Sequence, residues 1–180
     1  MRLFLAIQVP KTDQTRLQGL HATITGGRPV PMDSFHITLA FLGDDVGHSE
    51  AEDLHEQLES ARLPAATLHL EGFGHFGHDT PRALWVGIGP PRALDPLHAR
   101  VTGIARRAGL VLPRRRFVPH VTLARYSKGD PAGLTDLTRL FERHAPFSGA
   151  PFHAETLCLM RSHLTDHGPQ YDVLADYTLT

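Results

Sequence analysis

The sequence predicts an α+β fold built from two similar lobes. Its 180 residues suffice for one large domain, or for two small lobes folded as one unit. Predicted strands and helices follow in the order β-α-β-α-β-β-α-β-α-β-β, with no linker long enough to separate autonomous domains. The layout also repeats, because residues 35–88 and residues 117–179 each read strand, helix, strand, strand. We therefore expect residues 1–180 to form a single domain made of two similar lobes.

The first half is predicted to contain six elements. Its first segment alternates and is rich in Leu, Phe and Ile, which is typical of a strand. After Pro10, the apolar residues Leu17, Leu20 and Ile24 recur at helical spacing. Ser49 and Glu52 match the capping box of a second helix. The six elements are a strand at 2–9, a helix at 11–24, a strand at 35–42, a helix at 49–61, and strands at 67–73 and 82–88.

The second half is predicted to contain five elements. Pro90 and Pro91 interrupt the chain, and Gly109 is placed to cap the helix that follows them. The inward face of that helix is predicted to consist of Leu94, Leu97, Val101, Ile104 and Ala105. The five elements are a helix at 94–108, a strand at 117–124, a helix at 132–144, and strands at 152–160 and 171–179.

Composition excludes several classes of protein. With 41% hydrophobic and 21% charged residues, the chain is neither disordered nor fibrous. Cys158 is the single cysteine and has no internal disulfide partner, which favours a reducing compartment. No apolar run approaches the ~20 residues of a membrane helix, and residues 1–10 lack the features of a signal peptide. We expect a cytoplasmic protein that does not contact membranes and that acts as a monomer.

Charge is balanced overall but unevenly spread. The chain has 18 Lys and Arg against 19 Asp and Glu. Seven acids and no Lys or Arg lie between Asp44 and Glu59, whereas eight basic residues and no acid lie between Pro96 and Gly129. A stretch of one sign attracts a polyanion or forms a solvated surface, and composition alone does not choose between these. The basic residues are Arg100, Arg106, Arg107, Arg114, Arg115, Arg116, Arg125 and Lys128.

A short motif occurs in both repeats. His36-Ile37-Thr38-Leu39 and His120-Val121-Thr122-Leu123 are copies of His-x-Thr-Leu, 84 residues apart. Residues i and i+2 of a strand point to the same face, so each histidine shares a face with its threonine. If a pseudo-twofold axis relates the lobes, the two faces meet across one cleft.

Two imidazoles and two hydroxyls suit the chemistry of a phosphodiester. One imidazole removes a proton from the attacking oxygen and the other protonates the leaving oxygen, since both titrate near neutral pH. The threonine hydroxyls donate to the non-bridging phosphate oxygens. Neither a metal nor another cofactor is expected.

These residues resemble the 2H phosphoesterase family, and more narrowly its bacterial and archaeal RNA 2',3'-cyclic phosphodiesterases, also called 2'-5' RNA ligases. The resemblance covers nearly the whole chain. It includes the segment at 4–7, the first motif at 36–43, the second at 117–125, and the end of the chain from Leu157 onward. Upstream of the first motif the chain departs from the family, where an aromatic residue and an Asn are common; here residues 31–35 read Pro-Met-Asp-Ser-Phe.

The resemblance implies a bilobal fold in which two antiparallel sheets line a central cleft and helices lie outside. It also implies an activity, the opening of a terminal 2',3'-cyclic phosphate on RNA to a 2'-phosphate, with weaker, reversible 2'-5' joining of RNA ends. His36 and His120 map to the catalytic histidines, and Thr38 and Thr122 to their hydroxyl partners. Arg125 maps to the arginine that closes the second motif and contacts phosphate.

Surrounding charge predicts how the two histidines divide the work. His120 lies among basic residues, which lower the pKa of an imidazole, so we expect His120 to be the general base. His36 precedes the acidic stretch that begins at Asp44, so we expect it to be the general acid. We also expect Arg114, Arg115 and Arg116 to flank the cleft and guide the RNA backbone.

Two alternative functions remain open. The first is a phosphodiesterase of a small cyclic phosphate such as ADP-ribose 1'',2''-cyclic phosphate, or of a 2'-5' oligoadenylate. The basic stretch favours RNA over these substrates. The second is a non-catalytic RNA-binding module, which the intact histidines and threonines of both motifs disfavour.

Overall fold

The structure is a computed structural model, and it describes residues 1–78, 80–127, 134–165 and 168–180. Lys128 of the basic stretch and the first two residues of the helix predicted at 132–144 lie outside the described residues.

The described residues form nine strands and four α-helices, largely as the sequence predicts. Two short 3-10 helices, His21–Thr23 and Met32–Ser34, lie before the third strand. The strands are β1 Leu3–Gln8, β2 Arg28–Pro29, β3 His36–Gly43, β4 Ala66–Phe76, β5 Ala83–Gly89, β6 His120–Arg125, β7 Phe152–Ala154, β8 Thr156–Thr165 and β9 Gly168–Thr178. The helices are α1 Lys11–Gly19, α2 His48–Glu59, α3 Asp95–Arg107 and α4 Leu134–His144.

The strands form two antiparallel half-sheets that join into one sheet. One half-sheet has the order β7-β4-β5-β6 and the other has the order β3-β1-β8-β9. The two meet where Ile37 of β3 pairs with Val121 of β6, and β2 pairs with β6 from outside this order. The predicted α+β architecture with two antiparallel sheets is therefore confirmed, with the difference that one residue pair makes the sheets continuous.

The repeats in the sequence do not coincide with the half-sheets. β3 belongs to the first repeat but pairs with β1, and β4 and β5 of the same repeat extend the sheet from β6. The long β8–β9 hairpin returns to β1 at the opposite end of the sheet. The chain thus crosses between the half-sheets, and this crossing brings the two motif strands together at the centre.

The core lies between the sheet and the helices on one of its faces. Helix α3 packs against β3 and α2, and all five residues predicted for its inward face are buried. Gly109, which follows this helix, has φ +86°, a conformation that favours glycine and ends the helix as predicted. A helix with one apolar stripe packs in this way because burial of that stripe provides most of its stability.

Local differences from the prediction have identifiable causes. The first helix ends at Gly19, a poor helix former, and a 3-10 turn continues it. The cap of α2 is Gly47, whose N–H donates to Glu50 at 2.9 Å, so the predicted pairing of Ser49 with Glu52 is wrong. The strand predicted at 152–160 breaks at Glu155, because β7 pairs with β4 whereas β8 pairs with β1.

No helix in the described part of the chain is long and apolar enough to cross a membrane.

Candidate active site

The two motifs lie on adjacent strands at the centre of the sheet. Ile37 and Val121 are fully buried on the core side. Since side chains alternate along a strand, the residues on either side of each of them point to the opposite face. Both histidines and both threonines of the motifs therefore share the face of the sheet that lines the cleft.

The antiparallel pair Ile37–Val121 brings the two motifs next to each other. If this register continues by one residue on either side, His36 lies toward Thr122 and Thr38 lies toward His120. The imidazoles are close enough for the charge of His120 to act on the pKa of His36. This arrangement places two proton-transfer groups and two hydrogen-bond donors on one face of two adjacent strands.

Each imidazole forms the same kind of hydrogen bond with the backbone, to the carbonyl two residues upstream. Nδ1 of His36 donates to the carbonyl of Ser34 at 2.8 Å, and Nδ1 of His120 donates to the carbonyl of Val118 at 2.7 Å. A carbonyl oxygen only accepts, so Nδ1 carries the proton in each ring and Nε2 is left for substrate. Neutral Nε2 is a base and protonated Nε2 is an acid. Because the acceptor is a backbone atom two residues upstream, the unusual sequence before the first motif does not disturb this contact.

Aromatic rings flank each imidazole, and none of them is among the site residues that the sequence motifs predict. The ring of His36 lies 5.0 Å from those of both Phe4 and Tyr171. The ring of His120 lies 4.9 Å from Phe76 and 5.8 Å from Trp85. Strand parity is the signal that would have found two of them, since Phe4 and Trp85 lie on the strands next to the motif strands and alternate with buried core residues.

The apolar setting lowers the pKa of both histidines. Burial lowers the pKa of His36 to about 4, and the positive charges of Arg125 and His120 act in the same direction against the hydrogen bond to Ser34. Burial also lowers the pKa of His120, again with Arg125 acting in the same direction and the bond to Val118 opposing it. A small cluster of Phe4, Ala6, Cys158 and Met160 on the cleft side of the sheet accounts for the deeper burial of His36.

The charges around His36 differ from those that its position in the sequence predicts. Arg125 acts on both imidazoles, and among the described residues no acid contributes to the pKa of His36. Asp44, which was expected to favour protonated His36, forms an ion pair with Arg2 instead. The electrostatic premise for making His36 the acid is therefore wrong. The lowered pKa of His36 does not by itself reverse the roles, because the pKa of His120 is lowered as well and a bound phosphate anion raises the pKa of both rings.

Two cavities meet at this site. The smaller, of about 320 Å³, is lined by His36, Thr38 and Arg125 together with Phe4 and Tyr171. The larger, of about 870 Å³, is lined by Thr38 and His120 and by the predicted arginines at 114–116. Arg2, Thr38 and Phe41 line both cavities and form the boundary between them. Thr122 faces the cleft from β6 but contributes to the lining of neither cavity.

The geometry of the site is that of a paired acid–base centre on a sheet. Among the described residues, no group of three or more His, Cys, Asp or Glu side chains converges. Arg125 supplies positive charge to both imidazoles, and Arg28 on β2 lies across from it. A centre of two imidazoles, two hydroxyls and a guanidinium recognises a phosphate ester.

Comparison with known proteins identifies the family. Residues 7–166 match the model of the 2'-5' RNA ligase superfamily. This match spans most of the chain, and the protein belongs to that superfamily. The resemblance seen in the two His-x-Thr motifs is thereby confirmed.

Individual relatives agree with this assignment. An RNA 2',3'-cyclic phosphodiesterase of Aeropyrum pernix is 34% identical over 149 residues, which cover 82% of this chain and 83% of that protein. An RNA 2',3'-cyclic phosphodiesterase of Geobacillus stearothermophilus is 32% identical, and the match covers 82% of this chain but 46% of the relative. The crystal structure of Escherichia coli LigT complexed with 3'-AMP superposes with a TM-score of 0.79 at 28% identity, covering 99% of this chain and 98% of LigT.

Proposed function

We propose that this protein is an RNA 2',3'-cyclic phosphodiesterase that opens a terminal cyclic phosphate to a 2'-phosphate. The observation that carries the proposal is a pair of equivalent hydrogen bonds. Nδ1 of His36 and Nδ1 of His120 each bond to a backbone carbonyl, which leaves Nε2 of each ring for substrate on one face of the sheet. Two relatives that bear this name cover most of this chain in alignment.

The reaction needs one proton removed and one proton supplied. The neutral imidazole takes a proton from water as the water oxygen attacks phosphorus. The bond from phosphorus to O3' breaks, and the protonated imidazole delivers its proton to O3'. The products are a 2'-phosphate and a free 3'-hydroxyl, and the two rings have exchanged protonation states.

The other site residues stabilise the phosphate. Thr38 and Thr122 share the cleft face of the sheet with the two histidines, and their hydroxyls donate to the non-bridging oxygens. Arg125 lines the same cavity as His36 and supplies a permanent positive charge, which neutralises part of the charge that builds up at phosphorus.

The same groups also support RNA joining. When the 5'-hydroxyl of a second RNA replaces water, the identical proton transfers give a 2'-5' phosphodiester and a 3'-hydroxyl. The reverse reaction regenerates the cyclic phosphate. Water is far more concentrated than an RNA end, so hydrolysis dominates.

One incubation tests the proposal. RNA that ends in a 2',3'-cyclic phosphate is treated with the protein in the presence of EDTA, and the position of the product phosphate is determined. We expect a terminal 2'-phosphate. A 3'-phosphate product, or no product where the RNA remains intact, would contradict the proposal.

Four further properties belong to this proposal. The protein is a monomer, it is located in the cytoplasm, and residues 1–180 form a single domain. The reaction needs neither a metal nor another cofactor. The buried single cysteine, Cys158, agrees with a reducing compartment. Sedimentation of the purified protein tests the monomeric state, and fractionation of cells tests the location.

A further inference from the structure

The larger cavity has a greater volume than a cyclic phosphate and its ribose would fill. Its volume of about 870 Å³ accommodates a ligand well beyond one phosphate and ribose. Of the proposed catalytic and phosphate-binding residues, only Thr38 and His120 line it. Much of the remaining wall comes from α3 and from the segment 111–118, which are free to contact another part of the substrate.

One face of α3 supplies three polar side chains to this wall. His98, Thr102 and Arg106 follow at intervals of four residues and line the cavity together. The hydroxyl of Thr102 donates to the carbonyl of His98 at 2.8 Å, so it is satisfied within the helix. His98 and Arg106 are therefore the groups of this face that a ligand would contact.

His98 forms a flat platform with Phe117. The two rings are 4.0 Å apart between centroids, and their planes differ by 7°. Both rings line the cavity, and Phe117 also packs against the hydrophobic core, so we take the imidazole to be the ring on which a ligand stacks. Burial lowers the pKa of His98, with Arg106 acting in the same direction and Asp95 opposing it. The lowered pKa favours the uncharged imidazole, which makes the platform an aromatic surface.

Positive charge surrounds this platform. Five arginines line the cavity against one carboxylate, Asp44, which is paired with Arg2. In the part of the chain that the structure describes, Arg106 and the arginines at 114–116 form no ion pair. An aromatic surface beside a positive groove is the combination by which proteins bind single-stranded nucleic acid.

We propose that the larger cavity binds the single-stranded RNA segment that precedes the cyclic phosphate, with one base stacked on His98 and a backbone phosphate on Arg106. This inference rests on the proposed function, which puts the cyclic phosphate beside His120 at the end of the cavity. Stacking accepts any base, so the segment is bound without sequence preference. A terminus paired in a duplex is excluded, because its bases are already stacked.

Substrates of different length test the inference. Turnover is compared on a 2',3'-cyclic mononucleotide and on short single-stranded RNA ending in a 2',3'-cyclic phosphate. We expect a higher kcat/KM on the RNA. His98→Ala should lower kcat/KM on the RNA about tenfold, mainly through KM, and should change the mononucleotide reaction little. His98→Tyr retains a ring over Phe117 and should restore most of the loss.

A matched pair of arginine variants tests the phosphate contact. Arg106→Gln should weaken RNA binding and reduce the slope of log Kd against log salt by about one. Arg107→Gln removes the same charge from the next residue of α3, which does not line the cavity, and should leave the slope unchanged. Equal slopes for the two variants would overturn the contact with Arg106.

Two results would overturn the platform itself. One is an equal loss on both substrates in His98→Ala, and the other is a failure of His98→Tyr to restore the RNA reaction. If the wild-type protein hydrolyses neither substrate, the proposed function fails, and the platform is then tested by fluorescence anisotropy with labelled RNA. Weaker binding by His98→Ala, restored in His98→Tyr, would support the platform, and unchanged binding by His98→Ala would overturn it.

Discussion

Ile37 and Val121 pair across β3 and β6 at the point where the two half-sheets join. Both are fully buried, and each lies between the histidine and the threonine of its motif. The pair therefore fixes the position of all four polar side chains relative to one another. A hydrophobic contact on the core side of the sheet in this way sets the geometry of the site on the other side.

The first prediction concerns the two histidines. His36→Ala and His120→Ala should each lower cyclic-phosphate hydrolysis by ~10²-fold or more, because each removes one of the two proton-transfer groups. Turnover of a 2',3'-cyclic mononucleotide is the measurement. His48→Ala, an exposed residue at the start of α2, is the matched control and should retain full activity. Near-normal turnover in either motif variant would exclude the two-histidine mechanism.

Local pattern predicted most elements and the four motif residues, because strand parity and helical spacing are properties of nearby residues. The parity of the two motif strands also predicted that each histidine and its threonine share a face. The pairing of β3 with β1, and of β7 with β4, depends on contacts between distant parts of the chain, so the repeats in the sequence do not reveal which strands pair. The charges near His36 in the sequence also failed to predict its surroundings in the structure, since Asp44 forms an ion pair with Arg2.

Arg125 gives a prediction about pH dependence. Lowered pKa values keep both imidazoles neutral to more acidic pH than the ordinary value of 6.5, so kcat/KM should reach its maximum below pH 6.5. Arg125→Gln removes a positive charge that acts on both rings, which raises both pKa values. Both limbs of the pH profile should therefore move to higher pH, whatever the loss of absolute rate.

Arg125→Lys is the matched control for this shift. It keeps the charge while losing the planar guanidinium, so its rate should fall but its profile should stay close to that of the wild type. A profile of Arg125→Gln that coincides with the wild type would show that the guanidinium does not act on the imidazoles.

Gly74 and Trp85 give a prediction about the positioning of His120. They lie opposite each other on β4 and β5, and the indole covers the glycine so closely that an added Cβ would overlap the ring. Gly74→Ala should displace the indole from His120, lowering the free energy of unfolding by ~1–3 kcal/mol and lowering kcat more than it raises KM. Denaturant unfolding and mononucleotide kinetics are the measurements.

Gly19→Ala is the control for the glycine substitution. Gly19 ends α1, and an added Cβ there meets no atom within 4 Å. This variant should unfold at the same or a slightly higher free energy and should retain full turnover. Wild-type stability and turnover in Gly74→Ala would show that Trp85 does not position His120.

The last prediction concerns the division of roles between the histidines. The sequence assigns His120 as the base and His36 as the acid, and the structure removes the charge asymmetry behind that assignment, because Asp44 pairs with Arg2 and Arg125 acts on both rings. A cyclic-phosphate substrate with sulfur in place of O3' separates the roles, because a thiolate leaves without being protonated. On the sequence-based assignment, His36→Ala should regain much of its turnover on this substrate, whereas His120→Ala should not. Regained turnover in His120→Ala alone would reverse the roles. Regained turnover in both variants would contradict a mechanism with one acid and one base, because water attack still requires a base when the leaving group needs no proton.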